Sequence, residues 1–141
     1  MLDTAIRWIL VPPAAVAGWI AGLVIGLLVG GLFQRICLAE GGDLPPDIGM
    51  AVCAAVAAIG TVLGACAAAP RAQLATAVLT FGTGVWAAWN LLGHWYFPEG
   101  HPRAYSSSHL PFAGAVLGGV TGVLLAWCGV VRWCQPVHAS T

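Results

Sequence analysis

The sequence predicts an all-α integral membrane protein, a bundle of four transmembrane helices with short loops and both termini on the cytoplasmic side. Three observations carry this. Four apolar stretches have the length of a bilayer crossing, apolar residues make up 60% of the 141 residues, and charged residues make up only 7%. A soluble domain carries roughly 25% charged residues. With five Arg, five acidic residues and no Lys, this chain has too little charge to solvate a globule, and hydrocarbon is the solvent its composition suits. The net charge is zero, with no basic patch. That balance excludes nucleic acid as a partner, because such binding draws on phosphate neutralisation.

Residues 1–141 read as a single transmembrane domain with spans at about 14–33, 48–69, 74–97 and 112–133. At about 1.5 Å per residue, each covers a hydrocarbon core of about 30 Å. Backbone groups in lipid must pair within their own segment, so the spans are expected as helices. The alternation of a membrane barrel strand is missing. No Asp, Glu, Lys or Arg interrupts the first three spans, and Arg132 enters the fourth only near its end.

Before the first span stands Pro12-Pro13, a pair well tolerated in a helix's first turn. Residues 1–11, with Asp3, Arg7 and Trp8 among apolar neighbours, read as a separate short interfacial segment. Pro45-Pro46-Asp47 opens the second span, with Asp47 as the expected N-cap. Only Ala69-Pro70-Arg71 separates spans two and three, which predicts a tight antiparallel hairpin. Ser106-Ser107-Ser108 and Pro111 introduce the fourth span, and Leu110-Pro111 echoes the Leu44-Pro45 that precedes span two. The echo suggests two tandem hairpins.

Four spans bring Arg7, Arg71 and Arg132 to the side of the termini and leave Arg35 and Arg103 opposite. The excess favours termini inside. Trp8, Trp127 and Trp133 would mark one interface, and Trp95 and Tyr96 the other. With no targeting segment legible, the bacterial inner membrane is the expected location.

Glycine spacing is the strongest motif. Gly18, Gly22, Gly26 and Gly30 recur every fourth residue in the first span, and Gly114, Gly118 and Gly122 do so in the fourth. Such a face lets another helix approach closely and gain dispersion contacts that lipid would not match. Span two offers Ala51, Ala55 and Ala58, then Gly60 and Gly64, as a complementary small face. The sequence leaves open whether the partner helix lies in this chain or another. Small faces on three helices predict a compact bundle with little internal cavity, with Leu23, Leu27, Leu63 and Leu79 turned to lipid or to a partner.

Polar groups within the spans are few. Gln73, Thr76, Thr80 and Thr83 occupy the first half of span three, and Asn90 and His94 lie four apart in its second half. An Asn in hydrocarbon needs a partner, and an interhelical hydrogen bond is the expected role; Asn90 and His94 are also the weak candidates for contacting a cofactor. In the following loop His94, Glu99, His101 and His109 supply donors of the type that hold zinc. Their spacing matches no tight motif, so a solvated polar cap is the default. None of the five cysteines forms a C-x-x-C pair. Cys37 and Cys53 fall on one side of the membrane and could pair there if that side is oxidising, although the position of Cys53 about a turn into the membrane argues against it.

No nucleophile–base motif, zinc-protease motif or phosphate loop is legible, so an enzyme is not expected. The spans carry no ionisable residue at mid-depth, which argues against ion-coupled transport. The leading expectation is a structural or accessory subunit of a larger membrane complex or homo-oligomer, working through glycine-faced packing. Its partners would be the lipid bilayer and other membrane chains or copies of itself. The alternative is a small transporter or channel for an apolar or neutral solute. A second alternative is a metal- or haem-binding redox protein using the His94–His109 loop. No cofactor is assigned.

Overall fold

The structure, a computed structural model, describes residues 2–39, 46–69, 72–95 and 109–129. They form four helices: α1 (Leu2–Ala39), α2 (Pro46–Ala68), α3 (Gln73–Trp95) and α4 (His109–Trp127). No strand occurs among the described residues. Three helices are long and apolar enough to cross a membrane, over Ala5–Ile36, Ile48–Ala68 and Leu110–Trp127. The helix of the third predicted span matches α2 in length, at 23 residues, but Gln73, three threonines, Asn90 and His94 dilute its apolar content.

The break expected before the first span does not occur. α1 runs unbroken for 38 residues with Pro12 and Pro13 inside it, so residues 2–11 are continuous with the helix of the first span. Proline's fixed φ is compatible with a helix; what it removes is an N–H, leaving the carbonyl four residues back without a partner. Those carbonyls belong to Trp8 and Ile9, whose residues are 44% and 73% exposed. The helix is about 57 Å long, more than the 40–45 Å of a bilayer with its headgroups.

α2 starts at Pro46, a residue suited to the first helical position. Asp47, expected as the cap, therefore lies in the first turn. The α2–α3 connection is tight. The Ala69 amide bonds Ala65 O at 3.1 Å, and Ala72 O accepts the Thr76 amide at 3.0 Å and the Thr76 hydroxyl at 3.3 Å. Ala72 turns the chain with φ 56°. At its C-terminus α4 stops at Trp127, six residues before the expected end at 133. Gly129, at φ 80°, donates its amide to Ala126 O at 3.2 Å, and a left-handed glycine of this kind ends a helix.

α2 is the hub. It packs against α1 on one face and α4 on another, while α1 barely touches α3 or α4. α3 rests on the α2–α4 pair, chiefly through its first half, where Thr76 and Ala77 are buried. The core there is Val62, Cys66, Ala77 and Ala126, with Leu63, Phe81 and Val123 against it. The two hairpins are thus packed unequally, unlike the equivalent units suggested by the Leu-Pro echo.

Candidate binding cleft

Backbone-to-backbone contact governs both faces of α2. A methyl group at Gly18 would strike the carbonyl of Gly60, and one at Gly64 the carbonyl of Ala14. At Gly22 it would meet Ala57 Cα at 2.7 Å, and at Gly26 Cys53 Cα at 2.8 Å, while Gly30 faces Gly49 O at 3.4 Å. Rising numbers on α1 meet falling numbers on α2, so the pair is antiparallel. On the other face, methyls at Gly114 and Gly118 would strike the carbonyls of Ala51 and Ala55, and one at Gly122 would meet Val62 Cβ at 3.0 Å. α4 therefore runs parallel to α2. The partners of both glycine series lie within this chain. Gly119, beside the series on α4, lies under the Phe81 ring of α3.

These two close seams leave a wedge. With α1 and α4 each drawn onto α2, and α1 making almost no contact with α3, the space between them stays open as a cleft of about 430 Å³. Sequence reasoning expected little internal cavity. It missed this one because it treated small faces as closing a bundle all round, whereas here they all converge on one helix. The floor is α2 at residues 54–62; Trp19 and Leu23 of α1, Phe81 and Gly84 of α3, and Phe112 of α4 stand around it. Among the described residues, the lining side chains that carry a polar atom are Thr61, Thr80 and the indole of Trp19. Thr61 donates its hydroxyl to Ala57 O at 2.8 Å, so little hydrogen-bonding capacity is offered to a ligand. At the far end Trp89 and Phe112 pack with ring centroids 6.0 Å apart and planes at 59°. The volume falls within the roughly 300–1,000 Å³ of small-molecule sites.

No family model, no curated protein and no solved structure matches the chain.

The remaining predicted positions are distributed as follows. Asn90 donates Nδ2 to Trp86 O at 2.8 Å, one turn back in its own helix, so that donor does not bridge helices. Thr83 and Thr121 likewise bond Leu79 O and Leu117 O, at 2.9 and 2.8 Å. A carbonyl four residues back is within reach of a short polar side chain, and for Thr83, Asn90 and Thr121 this local option wins. Of the predicted metal donors, Glu99 and His101 lie outside the described residues, as do the side chains of His94 and His109. Cys53 is a free thiol whose Sγ lies 3.8 Å from Leu23 O. It sits beside Gly26, while Cys37 is three turns further along α1, about 16 Å away along the axis. A disulfide needs Cα atoms within about 7 Å, and Cys53 is a free thiol, so the conditional Cys37–Cys53 pairing does not form. Leu27 and Leu79 face outward, at 67% and 68% exposed. Leu23 instead lines the cleft, and Leu63 packs on the core.

Proposed function

We propose that the chain is a multi-pass protein of the bacterial inner membrane, with cytoplasmic termini, whose helix bundle binds an apolar or neutral molecule and acts as a small carrier or transporter. The cleft carries this reading. It is walled by all four helices, has no ionisable side chain in its lining among the described residues, and is bounded by small residues and aromatic rings. Its floor straddles the middle of the apolar segment Ile48–Ala68, so a ligand would sit near the bilayer centre, where charge is expensive and neutral solutes are not. α3 completes the bundle as the fourth crossing, its Thr76 and Thr83 made tolerable by hydroxyl bonds to carbonyls one turn back.

Organic extraction of the purified protein tests the reading. Mass spectrometry should return a neutral lipophilic compound from the wild-type chain and much less from Gly84→Leu, which places a side chain in the cleft. Equal recovery from both proteins would overturn it.

A second reading keeps the chain as an accessory subunit or homo-oligomer. It rests on α1, whose most apolar window is only 11% buried and so leaves most of its surface for lipid or another chain. The mass of the particle in mild detergent decides this: a strict monomer with nothing co-purifying would remove it.

A further inference from the structure

The shape and chemistry of the cleft narrow the class of occupant. Its floor spans residues 54–62, eight steps of helix or about 12 Å. A volume of about 430 Å³ along that length admits a stretch of hydrocarbon chain, whose carbons pack at contacts of about 4 Å.

The walls exclude the charged part of a lipid and accept the rest. Among the described residues no lining side chain ionises, and of the two hydroxyls one is bonded to its own helix. A headgroup placed here would bury an unpaired charge, which costs several kcal/mol even by lenient scales. The mouth also faces sideways. Val16 and Trp19 on α1 are 56% and 48% exposed, Gly84 across from them on α3 is exposed, and α1 and α3 barely meet.

We infer that the occupant is the hydrocarbon tail of a bilayer lipid, entering through the seam between α1 and α3 while its headgroup stays at the membrane surface. This rests on the cleft being a binding site, as proposed above. A tail exchanging surrounding lipid for protein walls gains no hydrophobic free energy. What holds it is close packing against the alanines and rings of the lining, as in helix association within membranes.

The full chain is reconstituted in phosphatidylcholine vesicles carrying a diazirine midway along one acyl chain, irradiated, and mapped by peptide mass spectrometry. Adducts are expected on the floor residues Ala58 and Thr61 as well as on outward Leu27 and Leu79. Gly84→Leu, at a position where an added Cβ meets nothing within 4 Å, should remove most floor adducts and leave the outward ones. Ala88→Leu serves if the first variant loses its helical circular dichroism. A floor without lipid adducts, or with adducts that neither variant reduces, overturns the inference. A parallel labelling with adamantyl diazirine, a small neutral probe, separates the two claims. If it marks the floor and the lipid does not, the cleft still binds apolar solutes and only the lipid tail is wrong. If neither marks it, both claims fall.

Discussion

Replacing Gly22 by alanine tests whether the α1–α2 seam is a backbone contact. The new methyl would lie 2.7 Å from both Ala57 Cα and Val56 O, where carbon atoms prefer about 3.5–4.0 Å. The shortfall is about 1 Å. Neither obstacle can rotate away, because both belong to the α2 backbone. α1 must therefore retreat, and a gap of 0.5–1 Å forfeits about a quarter to a half of each dispersion contact along the seam. Overpacking of this kind costs about 1–3 kcal/mol, offset by about 0.8–1 kcal/mol from alanine's better helix propensity. Gly31→Ala is the control. It makes the same chemical change in the same helix, but its methyl meets nothing within 4 Å, so only the propensity gain remains. Gly22→Ala should lower stability and Gly31→Ala should raise it, with about 1–3 kcal/mol between them. Unfolding in mixed micelles titrated with sodium dodecyl sulfate, followed by far-ultraviolet circular dichroism, measures both. Equal shifts, or a Gly22→Ala protein more stable than Gly31→Ala, would show that the helices do not touch there.

Further outcomes follow from other places in the fold. Ala72, at φ 56°, bears the left-handed penalty of about 1–2 kcal/mol; Ala72→Gly should gain up to about 1 kcal/mol once glycine's extra chain entropy is subtracted, and a loss in the same titration would contradict the turn. Phe112→Ala removes the partner of Trp89 and with it about 0.5–1.5 kcal/mol beyond simple burial; the near-ultraviolet tryptophan signal should change, and an unaltered spectrum would refute the pairing. A maleimide should modify exposed Cys128 in the folded protein and reach buried Cys66 only after unfolding, whereas early modification of Cys66 would mean that the α2–α3–α4 core opens. Alkaline phosphatase fused after Thr141 should be inactive in a bacterial host if the termini face the cytoplasm, and an active fusion would reverse the orientation.

The helices were legible because runs without charge leave the backbone few alternatives in hydrocarbon. Their ends were less so. Pro12-Pro13 looked like a start, yet φ near −65° is equally at home inside a helix. Gly129 was a stop signal in plain view, hidden by the apolar residues that continue past it. The small-residue periodicity of α1 and α4 was visible in the sequence, but which helix each faces is a tertiary fact, since Ala51, Ala55, Gly60 and Gly64 make α2 small on more than one side. That ambiguity concealed the cleft, whose walls are ordinary alanines, valines and aromatics. Thr80 stood out as one of the few polar groups of span three, but Phe81 gave no signal of its own, because nothing distinguishes an apolar residue lining a cleft from one facing lipid. Thr61 was passed over.

Because α2 carries two seams at once, its numbering is constrained in a way that no other element's is. Adding a single residue at its midpoint would swing everything after it through about 100° and dislodge Gly60 and Gly64 from α1 in the same stroke as Val62 from α4. Insertions and deletions should therefore accumulate elsewhere as the gene drifts, above all in the segments joining the helices, leaving α2 as the stretch of most constant length among descendants of this sequence.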